Sequence, residues 1–144
     1  YNEMDPRSGD LDYLQSAGAA PWEGIRSVNA DGILMIQGWL FYSSETFWTE
    51  PRIEAYLSGV PESHMIILDL YSDAKPQWQR TNSYFGRPWI WNMLLNFGGN
   101  RGLYGSIDGV GSDALRAVQN KSSSCIGLGM TPEAIENNPV MFEL

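Results

Sequence analysis

The chain has 144 residues, a net charge of −8 and 43% hydrophobic content, which suits one domain with its own core and excludes wholesale disorder. Only nine Lys and Arg are present and they form no cluster, which excludes a nucleic-acid or anionic-membrane surface. No apolar run approaches the ~20 residues of a membrane span.

Asn2-Glu3-Met4-Asp5-Pro6 is polar and turn-prone. It enters a loop at once, as though a strand had just ended, and the leading Tyr1 reads as the start of a fragment. Asp10 is a helix cap. Leu11, Leu14, Gly18, Trp22, Ile25 and Val28 follow at three- and four-residue spacings. Pro21 is expected to kink or interrupt this helix, and Asn29-Ala30-Asp31-Gly32 to end it.

Ile33 to Ile36 is a short apolar strand ending in Gln37-Gly38-Trp39, followed by an aromatic loop with Phe41, Tyr42, Phe47 and Trp48. Pro51 to Leu57 reads as a brief helix with Gly59 past its end. Met65 to Leu68 is the next strand, ending in Asp69, Leu70 and Tyr71. A long loop with Trp78, Arg80 and Tyr84 leads to Trp89–Leu95, whose unbroken apolar run predicts a strand buried on both faces of a parallel sheet.

Asn96-Phe97-Gly98-Gly99-Asn100-Arg101 then breaks the run. It has neither the Lys-Ser/Thr pair of a P-loop nor the dinucleotide spacing, so it reads as a tight turn where a ligand approaches the backbone. Leu103–Val110 and Ser112–Val118 are helical candidates, the second capped by Ser112. Asn120-Lys121-Ser122 is a glycosylation sequon in a surface turn. Cys125 to Met130 is the last strand, with Cys125 as a small buried hydrophobe, and Thr131-Pro132-Glu133 starts the last helix. The single Cys125 excludes an intrachain disulfide framework, and with the single His64 it cannot form a zinc site of the usual kind. No metal and no cofactor are expected.

Strands alternating with helices predict an α/β fold with a parallel sheet. Four such units make either a small open sheet or half of an eight-stranded barrel, and the start in a loop favours the barrel. Ligands of parallel α/β folds bind beyond the carboxyl ends of the strands. Those ends carry Gln37 and Trp39, Asp69 and Leu70, Asn96 and Asn100, and Met130 and Glu133. Six Trp and seven Tyr either fill the core or line a sugar cleft.

Taken together, Asn2-Glu3-Met4, Gln37-Gly38-Trp39-Leu40-Phe41, Leu68-Asp69-Leu70, Arg80-Thr81, Trp91, Met93-Leu94, Asn96 to Asn100, Gly129-Met130 and Pro132-Glu133 resemble the α-N-acetylglucosaminidase family, glycoside hydrolase family 89. The likeness runs along essentially the whole chain, with departures at Asn92 and Arg101. It implies the C-terminal half of a (β/α)₈ barrel over residues 1–144, with the leading half and flanking domains elsewhere. It further implies a retaining exo-glycosidase acting on terminal α-linked N-acetylglucosamine, as in heparan sulfate, in a lysosomal or secreted setting. By motif Glu3 is the general acid/base and Glu133 the nucleophile, while Asn2, Trp39, Leu70, Leu94 and Phe97 bind the sugar. The expected partners are that glycan and the remainder of the parent chain, without which the fragment is inactive. A non-catalytic carbohydrate-binding fragment is the alternative, needing the aromatic residues but not the acids.

Overall fold

The computed structural model describes residues 4–94 and 107–131. Helix α1 spans Leu11–Val28, and its cap is Asp10, whose carboxylate accepts from the Tyr13 N–H at 3.0 Å. Leu14, Gly18 and Trp22 form its buried stripe. Contrary to expectation, the helix runs unbroken through Pro21. That ring is exposed to solvent, and the buried Gly18 and Trp22 on either side of it anchor the continuing helix. The cost reduces to the lost backbone hydrogen bond and ring crowding.

Helix α3, Glu50–Ser58, carries a proline in its first turn and ends at Gly59, as its sequence requires. It packs on α1 with almost no space between the backbones. A Cβ on Gly18 would sit 1.9 Å from the Tyr56 carbonyl oxygen, and one on Gly59 would sit 2.3 Å from the Gln15 carbonyl oxygen.

Strands β1 (Leu34–Gln37), β2 (Met65–Asp69), β3 (Trp89–Leu94) and β4 (Cys125–Thr131) form one parallel sheet in the order β1-β2-β3-β4. A strictly sequential order has no point where the winding reverses, unlike a doubly wound sheet. The register pairs Ile36 with Ile67, and Ile67 with Trp89. These residues therefore share one face and turn it toward the helices. Between β3 and β4 the register slips at Trp89/Ile90, which brings Leu128 opposite Trp91 and Met130 opposite Met93.

On the helix side the core gathers Leu14, Phe41, Trp48, Ile53, Leu57, Met65, Ile67, Trp89 and Met93. The opposite face carries Met35, Ile66, Leu68, Ile90, Asn92 and Leu94. Only Asn92 and Leu94 of these are fully buried, and Met35 is 54% exposed. β3 comes closest to the expected burial on both faces, whereas β2, which also has a strand on each side, alternates between buried and half-buried. β4 alternates between half-buried and exposed, so Cys125 is half-buried rather than enclosed.

Two further expectations change. Part of the aromatic loop is a short helix, α2 (Trp39–Ser43), which buries Phe41 among the rings of Trp48, Tyr56 and Tyr84. Also, Ile107–Gln119 is a single helix, α5, continuing through Gly111 and Ser112. Val110, Ala114 and Ala117 are buried at helical spacing, so packing against β3 and β4 overrides the local break. Ser112 bonds back to the Gly109 carbonyl instead of capping. The part of the first helical candidate before Ile107 lies outside the described residues.

The one-turn element α4, Asn82–Phe85, is left-handed, with φ of 47°, 60°, 53° and 57° at its four residues. Each such residue costs roughly 1–2 kcal/mol. Tertiary hydrogen bonds hold it in place. The Trp89 indole N–H and the Ser124 N–H donate to Ser83 Oγ at 2.8 and 3.0 Å, and Ser124 Oγ donates to the Ser83 carbonyl at 2.8 Å. None of the described helices is long and apolar enough to cross a membrane.

Candidate active-site rim

The carboxyl ends of the first three strands meet in a small apolar patch apart from the main core. Leu70, Tyr71 and Leu94 are buried in it, and Trp39, Tyr42 and Leu68 pack around them. The patch forms because side chains just past the ends of β1 and β2 meet the last residue of β3. Trp39 opens α2 directly after β1, where the Gly38 N–H donates to the Leu68 carbonyl at 2.7 Å. Leu70 and Tyr71 follow β2, and Leu94 is the last residue of β3. The rings of Trp39 and Tyr42 meet edge-on at 4.8 Å, and Tyr71 lies 5.7 Å from Tyr42 and 6.1 Å from Trp39.

Trp39, Leu70 and Leu94, three of the sugar-binding residues expected from the sequence, are thereby brought together. Glu3, Asn2, Phe97 and Glu133 lie outside the described residues, as does Arg101. The excess of tryptophan is explained mainly by the core, since Trp22, Trp48, Trp89 and Trp91 are buried there. Trp78 stacks on Trp89, with ring centres 5.5 Å apart.

Behind the rim, polar groups hold its turns. Asp69 is almost fully buried at the end of β2, and its carboxylate accepts from the backbone N–H groups of Gln77 and Trp78 at 3.0 and 2.9 Å. Burial raises its pKa to about 6, and the two backbone hydrogen bonds limit the rise. Arg80 ties this loop to α2 and the segment after it. Its Nε donates to Gln77 Oε1, and its terminal nitrogens donate to the carbonyls of Trp48 and Phe41. Nearer the rim, Asp73 Oδ1 accepts the Leu94 N–H at 3.0 Å, standing in for the strand that β2 no longer provides. Burial pushes its pKa up as well.

The roles of Tyr42, Tyr71 and Asp73 are not legible in the sequence. The two tyrosines sit among many aromatics, and Asp73 is an isolated carboxylate four residues past a strand.

Asp69 yields a pH prediction. Its folded pKa is raised, so its protonated form favours the fold, and that advantage is present below about pH 4. It fades as pH rises through about 6, by up to roughly 3 kcal/mol. Melting temperatures of the complete parent protein and of its Asp69→Asn variant, compared from pH 4 to 7, should differ by an amount that changes over this window. A pH-independent difference between the two would show that Asp69 ionises as freely folded as unfolded.

The family model described as the alpha-N-acetylglucosaminidase (NAGLU) tim-barrel domain matches residues 1–144. The chain is 40% identical over 146 residues to alpha-N-acetylglucosaminidase of Homo sapiens, covering all of this chain and 19% of that protein. Among solved structures it is similar to a family 89 glycoside hydrolase from Clostridium perfringens. The form with two Glu→Gln substitutions, in complex with its substrate GlcNAc-alpha-1,4-galactose, matches at TM-score 0.73 and 31% identity over 94% of this chain. A complex of that hydrolase with PUGNAc matches at TM-score 0.72 and 30% identity. The chain spans only 14% of those bacterial chains. The sequential parallel sheet with its helices is therefore part of a TIM barrel, and the aromatic patch lies at the end of the strands where such barrels place their sites.

Proposed function

The chain belongs to the α-N-acetylglucosaminidase family, and from that membership we propose that residues 1–144 are the second half of the catalytic barrel of a retaining exo-glycosidase. Its substrates are glycans ending in α-linked N-acetylglucosamine, heparan sulfate among them, met in a lysosomal or secreted setting. Glu3 is the general acid/base and Glu133 the nucleophile. The observation that carries this reading is the gathering of Trp39, Leu70 and Leu94 in one patch at the strand ends, from three separate strand units. Apolar and aromatic side chains there suit the face of a sugar ring and the methyl of its acetamido group. The bacterial neighbour, captured with its substrate after two glutamates were changed to glutamine, adds support.

The stereochemistry requires a protein nucleophile. The substrate's 2-acetamido group can attack the anomeric carbon only from the face opposite the leaving group, and in an α-linked glucosamine it lies on the leaving-group side. Retaining enzymes hold their two carboxyl groups about 5–5.5 Å apart. Glu3 gives its proton to the departing oxygen while Glu133 forms the glycosyl bond. Glu3 then takes a proton from the water that breaks it. Asn2, beside the acid, hydrogen-bonds the 2-substituent, and Phe97 joins the wall formed by Trp39, Leu70 and Leu94. The reaction needs no cofactor.

The remainder of the parent chain supplies the leading barrel strands and the flanking domains. β1 and β4 each have one hydrogen-bonded neighbour among the described residues, and those strands pair with the two open edges. The isolated chain accordingly does not turn over substrate.

The complete parent, followed by NMR as it hydrolyses an aryl α-N-acetylglucosaminide, should release the α-anomer of the free sugar first. Initial release of the β-anomer would overturn the retaining mechanism.

A further inference from the structure

Asn92 is 1% exposed, yet its side chain lies on the sheet face turned away from the helices, amid mostly apolar neighbours. A carboxamide buried there costs stability unless it is paired, and this one is paired across three strands. Its Nδ2 donates to the carbonyl of Leu70, just past β2, at 3.0 Å, and to Thr131 Oγ1, at the end of β4, at 2.9 Å. Thr131 Oγ1 also lies 3.2 Å from Asn92 Oδ1, so hydroxyl and carboxamide meet at both polar atoms. The backbone adds to the clamp, since the Asn92 carbonyl accepts the Ser72 N–H at 3.0 Å. β4 makes room for it, because a Cβ on Gly129 would stand 2.7 Å from Asn92 Oδ1.

We propose that Asn92 is a positioning residue for catalysis, fixing the end of β4 through Thr131 and the Leu70 turn through its carbonyl. The proposal rests on the reading of Glu133 as nucleophile, which stands two positions after Thr131 in the sequence. β4 has a hydrogen-bonded neighbour only on the β3 side among the described residues, so the side-chain clamp adds a lateral restraint where the ladder stops. The same carboxamide ties that strand end to Leu70 in the aromatic rim. Sugar wall and nucleophile strand thereby share one anchor. Misplacing a reacting group by ~1 Å can cost about 10²-fold in rate, so a clamp of this kind acts on turnover more than on binding.

The test uses the complete parent enzyme with an aryl α-N-acetylglucosaminide. Thr131→Val keeps the shape and removes the hydroxyl, whereas Thr131→Ser keeps the hydroxyl. Asn92→Leu removes the carboxamide while keeping the same branched heavy-atom skeleton. Thr131→Val and Asn92→Leu should each lower kcat at least about tenfold, with KM changed less than about threefold, and Thr131→Ser should retain most of the parental kcat. The double variant Asn92→Leu/Thr131→Val should be no slower than the slower single variant, because both break one contact. Parental kcat per folded molecule in Thr131→Val would overturn the proposal even if its melting temperature falls, since that is the signature of a merely structural contact. If Asn92→Leu does not fold, the Val/Ser pair at position 131 decides alone. Glu133→Gln distinguishes the two levels. If it abolishes turnover while Thr131→Val is unaffected, only the positioning role falls. If it remains active, the nucleophile reading falls and this proposal with it.

Discussion

Replacing Glu133 by Gln in the complete parent enzyme is expected to reduce turnover of an aryl α-N-acetylglucosaminide to background. Glutamine preserves the size and most of the hydrogen bonding of the side chain but cannot form the glycosyl ester, and the substrate's own acetamido group is on the wrong face to replace it. Glu3→Gln should behave differently. Losing a general acid/base costs roughly 10²–10⁴-fold. The deficit in bond cleavage should shrink when the leaving group is a nitrophenol, which departs without a proton. Turnover measured across a series of phenols of different acidity separates the two roles. A Glu133→Gln enzyme with near-parental activity would remove the nucleophile assignment, and a Glu3→Gln deficit independent of leaving group would remove the acid.

The largest effect on stability is expected at the crossing of α1 and α3. Gly18→Ala places a methyl 1.9 Å from the Tyr56 carbonyl oxygen and 2.9 Å from its carbon. Both are backbone atoms of a packed helix, so no side chain can rotate away and the two helices must separate. Overpacking typically costs 1–3 kcal/mol and occasionally more, and with backbone on the receiving side about 3 kcal/mol is expected. The neighbouring Gly24 is the internal control. It lies in the same helix, and a methyl added there would meet nothing within 4 Å, so Gly24→Ala should be neutral or stabilise by up to about 1 kcal/mol. Melting of the two variants of the complete protein reads the difference directly. Equal melting temperatures would show that the close approach of α1 and α3 is not needed.

Much of the framework was legible because local chemistry and tertiary packing agree. Asp10 with its apolar stripe, Pro51 with Gly59, and three short apolar runs became α1, α3 and strands at nearly the expected residues. Legibility failed where tertiary contacts override local preference. Pro21 and Ser112 are signals to break a helix, and both sit inside one, because buried residues on either side gain more from a continuous helix than the local defect costs. No residue in Asn82–Phe85 favours left-handed backbone strongly enough to announce a turn of it. Ser83, Trp89 and Ser124 hold that turn from three places in the chain.

The site divides in the same way. Short motifs marked Trp39, Leu70 and Leu94 as wall residues, and their order along the chain was enough to associate them with the family. The neighbours of those residues were not marked. Tyr42 and Tyr71 join the patch only because α2 and the turn after β2 fold toward each other, held by Arg80 and Asp69.

What the sequence determined by itself is the succession of strands and helices, their parallel arrangement and the family, all of which depend on spacing and residue type along the chain. Only the tertiary structure decided that Asn92 spans from Leu70 to Thr131 and that Asp73 replaces a missing strand at Leu94. Such pairings depend on which distant backbone groups are left without partners where a strand stops, and that is set by packing rather than by any local pattern.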